Sequence, residues 1–138
     1  MLRSDRRRLL LGALGVTASG AILPWASLAR QLGRGFTHGV ASGEPGADRV
    51  LLWTRFVPES ATRSRVRHEL AEDEGFTRIV ARGAPLARAD ADYCVKPEVR
   101  GLKPGATYYY RFLGPDGEAS PTGRTRTLPV GRPERFTI

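Results

Sequence analysis

An all-β sandwich is the fold class the sequence predicts, on three observations. Short apolar runs recur at a spacing of about 8 to 12 residues, the rhythm of strands and turns. Sixteen glycines and ten prolines fall among those runs in a chain of 138 residues, which favours frequent reversals over long helices. The stretch Leu102-Lys-Pro-Gly-Ala-Thr-Tyr-Tyr-Tyr-Arg-Phe-Leu113 then joins a tight turn to a strand of alternating large residues. Pro104 presets φ for the first turn position and Gly105 accepts φ > 0, so the chain turns there without strain. Beyond the turn, period-2 alternation sets Tyr108, Tyr110 and Phe112 on one face and Tyr109 and Arg111 on the other. In Greek-key sandwiches a tyrosine so placed ties its hydroxyl to backbone a few residues upstream, and Tyr108 is the candidate for that role.

The remaining strands follow in order. Phe36–Ala41 is a first strand, and Ser42–Asp48 is dense in turn formers. Val50-Leu-Leu-Trp-Thr-Arg55 is a second, apolar on both faces from Val50 to Trp53, so something must cover its outer side. Pro58–Ser64 reads as a polar connection. Arg65–Ala71 alternates with Val66, His68 and Leu70 inward, His68 reading as a core-edge histidine, and Arg78–Arg82 is a fourth strand closed by Gly83 and Pro85. In Asp92–Val99, Pro97 has no N–H to give to a ladder, which assigns that strand to a sheet edge. The tyrosine strand comes sixth, Gly114-Pro-Asp-Gly117 is a turn, and Gly123–Leu128 is the last strand. Seven strands of this kind predict an immunoglobulin-like or fibronectin type III-like sandwich.

The amino terminus reads as an address. Charged residues through Arg8 precede Leu9-Leu10 and an uncharged stretch, Gly12–Ala29, whose glycines and Pro24 suit a secretory signal better than a spanning helix. Arg6 and Arg7, one residue before Leu9 and Leu10, resemble a twin-arginine signal, and Ser27-Leu28-Ala29 suggests cleavage after Ala29. An uncleaved anchor is the competing reading. The sequence therefore predicts three segments: a signal peptide over 1–29, a sandwich over 30–129, and over 130–138 a linker and the first alternation (Arg135–Ile138) of a further domain.

Composition narrows the chemistry. The formal charge is +8; without the leader's four arginines and one aspartate, 18 basic and 13 acidic residues leave +5. That charge is scattered among acidic and apolar residues rather than gathered in an aromatic-interleaved stripe, which argues against nucleic-acid binding. Cys94 is the one cysteine, so no disulfide or cysteine zinc cage can form within the chain. His38 and His68 have no second ligand at metal-binding spacing, and Asp90 and Asp92 sit among alanines in what reads as an exposed loop. Ser42 and Ser120 have no general base beside them in sequence, and no Gly-rich phosphate loop precedes a helix. The residues therefore offer no catalytic and no metal site.

Two motifs go further. Phe36-Thr-His-Gly-Val-Ala-Ser-Gly-Glu-Pro45, with Val50-Leu-Leu-Trp-Thr-Arg55 close behind, resembles the opening of the alkaline phosphatase D family, with Glu44 where that family more often has Asp. Val99–Phe112 with Ser120–Pro129 is similar to the end of that family's amino-terminal domain. The resemblance implies a bacterial periplasmic or secreted phosphomonoesterase and phosphodiesterase, carried folded by the twin-arginine export machinery and meeting the membrane only during export. It further implies iron and calcium held in a calcineurin-like metallophosphatase domain that follows the sandwich, with ligands beginning just past Ile138. No catalytic or metal residue is carried onto this chain. The motif positions His38 to Pro45 and Trp53 to Arg55 are expected to serve packing. The alternative, from another class, is a stand-alone exported fibronectin-like binding module; the leading domain of a purple acid phosphatase is a third reading.

Overall fold

A computed structural model of the chain describes residues 33–131. The leader positions Arg6, Arg7, Leu9, Leu10 and Ala29, and the alternation at 135–138, lie outside the described residues.

Two antiparallel sheets face each other. In the first, β1 (Gly35–Gly43) pairs with β2 (Arg49–Val57), whose other side takes β7 (Cys94–Val95) and β8 (Glu98–Arg100) end to end. The second runs β10 (Gly123–Arg126), β9 (Thr107–Leu113), β4 (Arg67–Ala71), β5 (Ile79–Gly83). Because β7 and β8 occupy one line, these are seven strand positions of a fibronectin-like sandwich. A further short ladder, β3 (Arg63–Arg65) with β6 (Leu86–Arg88), forms where the sequence suggests only a polar connection and a strand end. Its physical reason is Ala87 and Ser64, which pair across the ladder and are both buried, so a mostly polar stretch still gains from pairing.

Period-2 burial follows the sequence closely. Val50, Leu52, Thr54 and Phe56 of β2 point inward and are buried, against Tyr108, Tyr110 and Phe112 of β9 and Leu70 of β4, with Val66 just before that strand. Each large side chain so buried contributes about 1.5–3 kcal/mol. His68 joins the inward row at 7% exposure with no partner for its Nδ1. Burial therefore pushes the imidazole pKa below its ordinary value.

Two irregularities bear on function. The β1–β2 register shifts between Phe36 and Val40, leaving Thr37, His38 and Gly39 as a bulge with Gly39 at φ +68°. The buried Thr54 hydroxyl donates to the Gly39 carbonyl at 2.8 Å and holds the bulge in place. Pro97, with Lys96, splits the edge strand into β7 and β8, while the Leu52 N–H bonds the Pro97 carbonyl at 2.9 Å and keeps the gap attached.

Candidate functional site

The two outer faces of the sandwich differ in chemistry. On the second sheet, Glu69 of β4 lies opposite Arg111 of β9 and Arg82 of β5. Arg111 donates to Glu69 Oε2 from Nε (3.0 Å) and Nη2 (2.8 Å), and its guanidinium stacks 4.1 Å from the Phe76 ring. Burial raises the Glu69 pKa, but Arg111 and then Arg82 outweigh it and hold the carboxyl below its ordinary value. Arg67, Arg124 and Arg126 complete this charged, solvated face, where the sequence places Arg124 and Arg126.

On the first sheet the outward row of β2 is Leu51, Trp53 and Arg55, all part-buried. Cross-strand partners share a face, so Gly43 and Ala41 flank Leu51 and Trp53 on one side, and Glu98 and Cys94 flank Leu51 and Arg55 on the other. Ion pairs rim this apolar centre. Arg55 donates through Nη2 to Asp92 Oδ1 (2.8 Å) and through Nη1 to Thr37 Oγ1 (3.0 Å), and Arg49 and Arg100 pair with Glu98. The hydrogen bond and charge of Arg55 hold the Asp92 carboxyl below its ordinary pKa. Asp90, two residues earlier, is turned away to Arg88 by a 3-10 turn over Ala89–Ala91. The two aspartates thus serve different arginines. Within the described residues, no group of three or more His, Cys, Asp or Glu gathers as a metal would require.

At one end of the sandwich the two sequence motifs meet. Gly105, at φ +63°, follows Pro104 in the corner, and the Lys103 N–H donates to Tyr108 Oη at 2.9 Å. The last strand is then locked down. Thr127, 1% exposed, accepts from the Ala106 N–H (3.0 Å) and donates to the Lys103 carbonyl (2.6 Å). The Leu128 N–H reaches the Gly46 carbonyl (2.9 Å), and the Leu128 carbonyl accepts from Gly105 (3.0 Å). The turn after the opening motif, the corner and the departing strand thus form one clamp, past which Leu128 (49%) and Val130 (76%) are exposed. Sequence reasoning found the corner but not Thr127; its signal was an inward position in a polar strand, where a hydroxyl needs a partner. The bulge at Thr37–Gly39 was likewise missed, although Gly39 inside a strand pattern marks such a site.

Residues 23–129 match the family model described as the PhoD-like phosphatase, N-terminal domain. The chain belongs to this family. It is 42% identical over 102 residues to alkaline phosphatase D of Bacillus subtilis, covering 69% of this chain and 17% of that protein. The solved structure of PhoD, likewise 42% identical, superposes with a TM-score of 0.66 over 70% of this chain and 20% of the other. The sensor domain of the anti-sigma factor RsgI4 from Pseudobacteroides cellulosolvens, at 13% identity, a TM-score of 0.51 and coverage of 67% of this chain and 93% of that one, shares the fold alone. The chain thus spans about a fifth of the length of the phosphatases it matches. No helix among the described residues is long and apolar enough to cross a membrane.

Proposed function

We propose that this chain is the non-catalytic front of an exported alkaline phosphatase and phosphodiesterase, with the reaction carried by a metallophosphatase domain beyond it. The family match over 23–129, confined to 17% of the curated relative, carries this reading. Iron and calcium belong to that further domain. Among the described residues no group of three or more His, Cys, Asp or Glu gathers that could hold either ion, which supports assigning them to the further domain. The sandwich's part is positional: it presents a rigid exit point, set by the clamp at Thr127 and Leu128, from which the next domain starts. The leader through Ala29, with its Arg6-Arg7 pair, directs the protein through twin-arginine export to the periplasm or beyond.

The test joins residues 33–129 to the Bacillus subtilis enzyme in place of its matching segment. The 138-residue chain, given iron and calcium, should hydrolyse neither p-nitrophenyl phosphate nor its bis ester, while the joined protein should hydrolyse both. Turnover by the chain alone, or an inactive joined protein, would overturn the reading. Arg6→Lys with Arg7→Lys should block export of a fused reporter.

A further inference from the structure

We infer that the outer face of the first sheet, centred on Leu51 and Trp53, is the surface against which the catalytic domain of the longer protein packs. The inference rests on the functional reading above and names the contact it requires.

Four observations converge on it. The centre of the outward row of β2, Leu51 and Trp53, is apolar where a strand facing water would be polar, and its cross-strand neighbours Ala41 and Gly43 are small. Most charges around that centre are paired, Arg55 with Asp92 and Arg49 and Arg100 with Glu98, while the exposed Lys96 between Cys94 and Glu98 makes no ion pair among the described residues, which gives a patch with an apolar middle and a polar rim. The opposite outer face carries Arg67, Arg82, Arg111, Arg124 and Arg126 around Glu69, a surface costly to desolvate. Finally, the departing strand is fixed to the Gly46 carbonyl, in the turn that joins β1 to β2 beside Gly43 and Leu51. The chain therefore leaves the sandwich at the end of the apolar face, with Leu128 and Val130 exposed along the way.

Cys94 offers a direct reading of this contact, because it lies on the same outer face, opposite Arg55, and is part-buried rather than sealed. Maleimide alkylation of Cys94 is followed by peptide mapping in the 138-residue chain and in the joined protein described above. A cysteine introduced by Arg124→Cys reports the charged face. Docking predicts that Cys94 reacts at least about tenfold more slowly in the joined protein, while the cysteine at position 124 reacts equally in both. Leu51→Glu with Trp53→Glu in the joined protein should return Cys94 to its fast rate. Equal Cys94 rates in the two proteins, or protection at position 124 instead, would overturn the proposed face. An active joined protein with an unprotected Cys94 rejects this surface alone. An inactive one with Cys94 protected rejects the functional reading and leaves the surface standing.

Discussion

Thr127→Val isolates the clamp that fixes the exit of the sandwich. Valine matches threonine in shape, so the packing survives and only the hydroxyl is lost. Two bonds go with it, from the Ala106 N–H at 3.0 Å and to the Lys103 carbonyl at 2.6 Å. Lys103 is exposed and its carbonyl can take water, but Thr127 is 1% exposed and the Ala106 N–H has no other partner among the described residues. An unsatisfied buried donor costs about 1–3 kcal/mol, which sets the expected loss near 2 kcal/mol. For a domain of this size that is roughly 8–16 °C in Tm, or a fall of about 2 M in the urea midpoint at a slope near 1 kcal/mol/M. Thr127→Ser keeps both bonds and removes one methyl, worth about 0.8 kcal/mol. Urea unfolding of the 138-residue chain, followed by far-ultraviolet circular dichroism, should therefore rank wild type above Ser above Val, with unchanged slopes. A Val variant as stable as wild type, or milder than Ser, would refute the hydroxyl's role and assign the position to packing.

Three further outcomes follow from the same structure. Tyr108→Phe removes the acceptor of the Lys103 N–H and should cost about 1–2 kcal/mol by the same unfolding assay, with Tyr109→Phe on the outer face near neutral. Gly39→Ala meets no atom, so its cost is the backbone strain of φ +68° alone, about 1 kcal/mol, read as a lowered Tm. His68 has its pKa lowered by burial, so the folded state binds fewer protons than the unfolded one below the ordinary histidine value of 6.5. Stability should accordingly be full above that pH and fall as the pH drops through it. His68→Leu should flatten this part of the pH profile, and an unchanged slope would show that other groups cause it.

The strands were legible because their burial obeys period 2 and their ends are marked by glycine and proline. Val50, Leu52 and Phe56, and Tyr108, Tyr110 and Phe112, point inward as their spacing requires. Local pattern could not reveal what depends on distant partners. Arg63–Arg65 pairs with Leu86–Arg88 across the intervening β4–β5 pair, a contact no short window of sequence contains. Asp90 and Asp92 look alike in sequence, and only the fold brings Arg55, 37 residues from Asp92, to separate their roles. The double apolarity of Val50 to Trp53 was the most informative signal, since the sandwich buries Val50 and Leu52 fully and leaves Leu51 and Trp53 only part-buried.

Pro97 carries a consequence for solubility. An unbroken edge strand displays a row of free amides and carbonyls on which a second molecule can add its own strand. Here the margin of the first sheet is cut into a two-residue and a three-residue piece, and the proline at the cut has no amide to offer. A neighbouring molecule would find too short a template for stable annealing. Strand addition through this margin of the first sheet is therefore disfavoured.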